Sequence, residues 1–160
     1  MDDFLNKKIE PEDFAPFLSD VLSSGAVVPL VVTGNSMRPF LYSGRDTVYL
    51  QSPDSIGRGD IVFYVREADK YVLHRVKSIS GDEFFAIGDA QTVAEGPIKN
   101  ENILAVARKV NRKGKIIGEK SPIWFFYKKI WLTMCRFRPS VFSLCRKVKR
   151  IFTKKRADTV

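Results

Sequence analysis

The chain has 160 residues, of which 44% are hydrophobic and 28% charged: enough for one domain with a real core, too few for two domains and a linker. That balance excludes a disordered chain, and two cysteines (Cys135 and Cys145) without His or Cys neighbours exclude a disulfide framework and a zinc motif. The net charge of +9 is concentrated at one end: residues 121–160 carry eleven Lys or Arg against one acid, whereas residues 1–120 carry 16 basic and 17 acidic residues. A near-neutral body with a cationic appendage points to an anionic partner for the appendage, either a membrane surface or nucleic acid.

In chain order, Met1-Asp2-Asp3-Phe4 opens acidic where a secretory signal opens basic. The apolar stretch Ala26 to Val32 is only seven residues long, about a third of a membrane span. The expected location is therefore cytoplasmic or peripheral on a membrane, with the thiols reduced. Residues 11–24 read as an amphipathic helix. Pro11 suits its first turn, Glu12 and Asp13 its positive end, and Phe14, Phe17, Leu18, Val21 and Leu22 recur at helical spacing before Gly25.

The texture then changes to short β-rich runs: Val27 to Thr33, Thr47 to Gln51, Ile61 to Arg66, Tyr71 to Ile79, Glu83 to Ile87 and Ile103 to Val110. Turn-formers such as Ser-Gly-Arg-Asp, Gly-Arg-Gly-Asp and Gly-Asp-Ala separate them, and Asn111-Arg112-Lys113-Gly114 suits a hairpin turn. This predicts a mainly β fold, a coiled or barrel-like antiparallel sheet. Three regions follow: an N-terminal helix over 1–25, a β-rich domain over 26–118, and a basic, aromatic, amphipathic helical tail over 119–160. In the tail, Trp124, Phe125, Phe126 and Trp131 alternate with cations. The pair Lys128-Lys129 interrupts the apolar run, so a helix lying in a membrane interface fits better than one crossing it. Pro139 is expected to break this helix, with Val141, Leu144, Val148 and Ile151 marking a second amphipathic stretch.

Three segments carry the chemistry. Ser36 lies in the turn Thr33-Gly34-Asn35-Ser36-Met37-Arg38-Pro39, just after a strand. A serine hydroxyl needs a base before it attacks a carbonyl, and backbone N–H groups in such a turn can hold an oxyanion. His74, the chain's one histidine, lies on a strand and shares a face with Val72 and Val76, while Leu73 and Arg75 point the other way. Asp89 or Glu95 could fix the imidazole tautomer and stabilise its charged form. Each residue also has an ordinary structural reading: a serine or Gly-Asp pair in a turn, a histidine packed in a sheet.

Taken together, Gly34-x-Ser36-Met37-x-Pro39, Gly59-Asp60-Ile61-Val62, His74-Arg75-Val76 and Gly88-Asp89-Ala90 occur in the order seen in type I signal peptidases. Over residues 25–110 the chain resembles the ER-type branch, in which histidine replaces the lysine base. The resemblance implies a serine endopeptidase with Ser36 as nucleophile and His74 as general base, then acid. It also implies an assisting carboxylate, Asp89 or Glu95, and Gly34 and Met37 at the oxyanion and substrate site. Glu95 stands where that branch has aspartate. The family's N-terminal membrane helix has no counterpart here, which suggests a leader peptide made inside the cell as substrate. The superfamily also includes self-cleaving domains of SOS-type repressors, but about 25 residues before the β region leave no room for their DNA-binding domain.

The rival account is a non-catalytic module of the same fold that works through its tail. Trp124, Phe125, Lys128, Lys129 and Trp131 suit an anionic membrane surface, simple docking of the tail on the body is a second possibility, and nucleic-acid binding has charge alone in its favour. The expected partners are a peptide or precursor-protein substrate and a membrane surface. No metal or organic cofactor is implied.

Overall fold

The computed structural model describes residues 11–66 and 70–157. Its centre is one curled antiparallel sheet, closed about halfway to a barrel, with more strand than helix in the chain as a whole. The strands are β1 (Val28–Val31), β2 (Thr47–Gln51), β3 (Ile61–Arg66), β4 (Lys70–Ser80), β5 (Glu83–Ile87), β6 (Glu95–Lys99), β7 (Ile103–Arg112) and β8 (Lys115–Gly118). They lie in the order β1-β2-β7-β3-β4-β5-β6, with β8 pairing β7 across the predicted hairpin.

β3 shows why the sheet curls around two cores. Residues Ile61 to Tyr64 are all buried, which requires cover on both faces of the strand. Ile61 and Phe63 join the main core with Leu18, Leu22, Phe40, Leu50 and Ala107. Val62 and Tyr64 point the other way and join Val76, Phe84, Ala86 and Ile98. Alternation of side chains along the strand makes this division automatic.

The helix α1 (Pro11–Ser23) forms as the apolar spacing predicts and lays Leu18 and Leu22 on the main core, while Phe17 stays half exposed. Phe14 packs edge-on against Phe63 and Tyr71, with ring centroids at 6.1 and 5.0 Å.

β6 was not expected from the sequence. Its segment, Glu95-Gly96-Pro97-Ile98-Lys99, reads as a loop because it contains Gly-Pro. β6 ends the sheet order, however, and an edge strand tolerates a proline that cannot donate on its open side. Gly96 is required there: its φ is +133°, and a Cβ would sit 2.9 Å from the Phe84 carbonyl oxygen.

The largest departure lies after residue 118. The tail is not an appendage from residue 119. The short helix α2 (Pro122–Phe125) runs straight into a π-helical segment, Phe126–Trp131. Trp124, Tyr127 and Trp131 project from one side of it into the main core. Trp124 and Tyr127 close on Phe40 at 5.7 and 4.7 Å. Of the five residues read as facing a membrane, Trp124 and Trp131 are therefore core residues, 1% and 6% exposed. Lys128 is held by Asp60 at 2.5 Å. Only Phe125 and Lys129 face outward. The sequence pattern was right about amphipathicity and wrong about which medium took the apolar side; a neighbouring core competes for aromatic rings as effectively as a lipid does. Pro139 likewise starts a helix, standing in the first turn of α3 (Arg138–Ala157). Among the described residues no helix is long and apolar enough to cross a membrane.

Candidate active site

A cleft of about 670 Å³ opens between two strand segments and contains both Ser36 and His74 in its lining. One wall is Leu30 to Thr33, from β1 and the residues after it; the other is Tyr71 to His74 of β4. β1 ends the sheet order, and the β4–β5 pairing among the described residues begins at Arg75. Phe14 and Phe63 add apolar surface, and Arg66 and Gln91 supply polar groups.

His74 sits opposite Val62 in the β3–β4 register. Its side chain is buried among Val72, Val76 and Tyr64 on the face that sequence alternation assigns to it. Its Nδ1 lies 2.6 Å from Glu95 Oε1. That contact requires Nδ1 to carry the proton and donate it, which leaves Nε2 as the basic nitrogen. Glu95 is itself fixed from two more directions. The Tyr64 hydroxyl donates to the same Oε1, and Arg66 Nη1 donates to Oε2 at 2.5 Å. Tyr64 and Arg66 are two apart on β3 and so share a face; Tyr64 stands diagonal to His74 across the β3–β4 pair.

The electrostatics follow from this crowding. Burial holds the His74 imidazole below its ordinary pKa of about 6.5, with the Glu95 carboxylate opposing the shift. Burial is the largest effect, and the positive charge of Arg66 works in the same direction. Burial pushes Glu95 up, but hydrogen bonds from Tyr64 and Arg66, with His74 beside them, bring it below the usual carboxylate value. The Tyr64 phenol is pushed up by burial and by Glu95 and stays a donor. The result is an ionised carboxylate, a neutral imidazole of fixed tautomer and a free basic nitrogen at the cleft.

Ser36 comes from the other side of the cleft, in the turn after β1. Gly34 has φ +74°, which shapes the turn, but it does not line the cleft; Met37 does, and is otherwise buried in the main core. The Ser36 N–H has no partner among the described residues. Ser36 and His74 line the same cleft, with no direct hydrogen bond between them among the described residues.

Asp89 does not assist His74 by hydrogen bonding. Arg75 takes both its carboxylate oxygens at 3.0 Å, and both side chains are fully buried. The Gly-Asp-Ala segment serves Ser36 instead. The Ala90 N–H donates to the Ser36 carbonyl at 2.7 Å. A Cβ on Gly88 would sit 2.6 Å from that same oxygen, so only glycine allows this approach. Sequence reasoning thus left the choice of carboxylate open and missed Tyr64, Arg66 and Arg75. Strand alternation placed Tyr64 and Arg66 together, but nothing in the sequence brought Glu95 of β6, two strands beyond β4, back onto these β3 side chains. Among the described residues no group of three or more His, Cys, Asp or Glu is placed to hold a metal ion.

Compared with known proteins, the chain matches no protein-family model, and no relative is found among curated proteins.

Proposed function

We propose that this chain is a serine endopeptidase of the signal-peptidase type, cleaving an extended leader or signal-type peptide with Ser36, His74 and Glu95. The observation that carries this reading is the His74 Nδ1–Glu95 Oε1 contact of 2.6 Å in a side chain that lines the same cleft as Ser36. Nε2 of His74 takes the proton as Ser36 Oγ attacks the scissile carbonyl. The Ser36 N–H meets the oxyanion, and the imidazolium, stabilised by Glu95, returns the proton to the leaving amine. Water then repeats the sequence on the acyl-enzyme. A cleft walled by two strand segments favours a substrate bound in extended form, with apolar side chains toward Leu30, Val32 and Leu73.

The test is an unbiased peptide library read by mass spectrometry, with wild type beside Ser36→Ala and His74→Ala. Cleavage by wild type, reduced at least about 1,000-fold in both variants, is the expected result. Equal products from all three would refute it.

The same reading includes a peripheral membrane site, now moved to the outer face of α3. Leu144 is 63% and Val148 42% exposed. They continue, at helical spacing, the stripe that begins with the partly packed Val141. Lys147 is exposed beside Leu144, three residues on, and Arg146 is exposed on another face of the helix. Apolar side chains beside cations suit an anionic bilayer better than nucleic acid, which needs only the charge. Sedimentation with vesicles containing anionic lipid, lost in Leu144→Glu/Val148→Glu and absent with neutral vesicles, is expected. Binding to DNA or RNA that survives this double substitution would point to the other partner.

A further inference from the structure

We propose that Arg138, at the start of α3, is a positioning residue for Ser36, acting through the Gly88–Gln91 loop with Trp131 as its companion. The kinetic half of this inference rests on the peptidase reading; the positional half rests on geometry alone.

Arg138 is fully buried and, among the described residues, forms no ion pair with a carboxylate. Its guanidinium holds three main-chain carbonyls: Gly88 at 2.8 Å and Gln91 at 2.6 Å through Nη1, and Trp131 at 3.1 Å through Nη2. Its Nε is buried without a partner. Burying a guanidinium this way costs more than filling the same space with an apolar side chain. What the arginine supplies is direction: a planar fork that fixes several acceptors at once.

The acceptors matter because of where they lie. Gly88 and Gln91 are the two ends of one tight turn, closed by the Gln91 N–H on the Gly88 carbonyl at 3.0 Å. The Asp89 carbonyl between them accepts from Trp131 Nε1 at 2.8 Å. Three carbonyls of this turn are therefore held by residues 131 and 138. The Ala90 amide of this turn donates to the Ser36 carbonyl, and Gly88 packs against the Ser36 main chain. His74, by contrast, is set by β4 and by Glu95. The spacing between nucleophile and base thus depends on how the Gly88–Gln91 turn is seated, and Arg138 seats it. A displacement of about an ångström between reacting groups is enough to cost about 100-fold in rate.

The experiment uses the full chain with Arg138→Met, Arg138→Lys and Trp131→Phe, the last removing one hydrogen bond while keeping the ring. Hydrogen exchange at the Ala90 amide is compared with amides of β3 in the same sample. Steady-state kinetics use a peptide that wild type selects from the library. The expected result is exchange at Ala90 raised about 10-fold or more in Arg138→Met with β3 little changed. kcat falls about 10-fold or more at nearly constant KM, as for a misplaced nucleophile. Arg138→Lys recovers part of both effects, and Trp131→Phe shows smaller changes in the same direction. Unchanged Ala90 protection in a folded Arg138→Met or Trp131→Phe protein would overturn the positional role. Raised exchange with unchanged kcat would overturn the link to Ser36. If wild type cleaves no peptide, the peptidase reading fails, and the exchange data still decide whether Arg138 seats the turn.

Discussion

His74 is the only histidine in the chain, so its imidazole gives one unambiguous set of NMR signals. Its titration midpoint is expected below 6.5, because burial disfavours the charged ring more than Glu95 favours it. A neutral Nε2 is then available further into acid than an exposed histidine would allow, and the acid limb of kcat/KM should follow the NMR midpoint. A limb at or above 6.5 would mean that another group is being titrated. Tyr64→Phe removes a donor from Glu95 Oε1 and leaves that oxygen a stronger acceptor for Nδ1–H. The His74 midpoint should rise in this variant. Glu95→Gln keeps the shape but loses the charge and can present the wrong partner to Nδ1. A kcat loss of about 100-fold or more is expected. The same substitution at Asp89 has a different readout, since its partner is Arg75: Asp89→Asn should act mainly on stability. Breaking such a buried pair costs about 3–5 kcal/mol, which urea denaturation would measure directly.

Among the elements, the turn Gly88–Gln91 connects most of the site. Gly88→Ala places a methyl group 2.6 Å from the Ser36 carbonyl oxygen, so either the turn or the nucleophile must move. Loss of activity by about 10- to 100-fold in a protein that still folds is the expected outcome; full activity would mean that the turn gives way harmlessly. The strands were legible where the apolar run was long or regular: β2, β3, β4, β5 and β7 all lie close to their predicted ranges. β6 was hidden because edge strands are allowed the residues that interior strands exclude. With it went the means of choosing Glu95 over Asp89, since that choice depends on β6 standing beside β5 and on β4 lying between β5 and β3. Ser36 and His74 were legible as a pair only through the order of four motifs. For the tail the sequence left lipid surface and docking on the body both open, because the stripe of Trp124, Tyr127 and Trp131 fits either; docking is what the structure shows for these three residues.

At the scale of the whole molecule, the segment after β8 is part of the core, so a chain ending at residue 118 would lose Trp124, Tyr127 and Trp131 from around Phe40. Such a truncation should fail to give a cooperative unfolding transition. Stability should also fall with acid, in a definite order. His74 has a folded pKa below its ordinary value, so the unfolded chain takes up its proton first; stability is whole above about 6.5 and declines as pH drops through and below it. Glu95 and Asp46 are held below the carboxylate value, and their contribution disappears at lower pH still. Thermal melts from about pH 8 to about pH 2 should show a shallow loss below about 6.5 and a steeper one below about 4.5, and Glu95→Gln should weaken the steeper part.

The apolar side chains exposed at the end of the sheet carry a cost of their own. Val31 is 54% and Val27 47% exposed along or beside β1, the strand that ends the sheet order. At high concentration such an edge recruits loose termini or partly unfolded neighbours, the usual hazard of an edge strand with apolar side chains. Light scattering should therefore rise with concentration, fall when a tight-binding peptide is added to Ser36→Ala protein, and fall without any peptide in Val31→Lys.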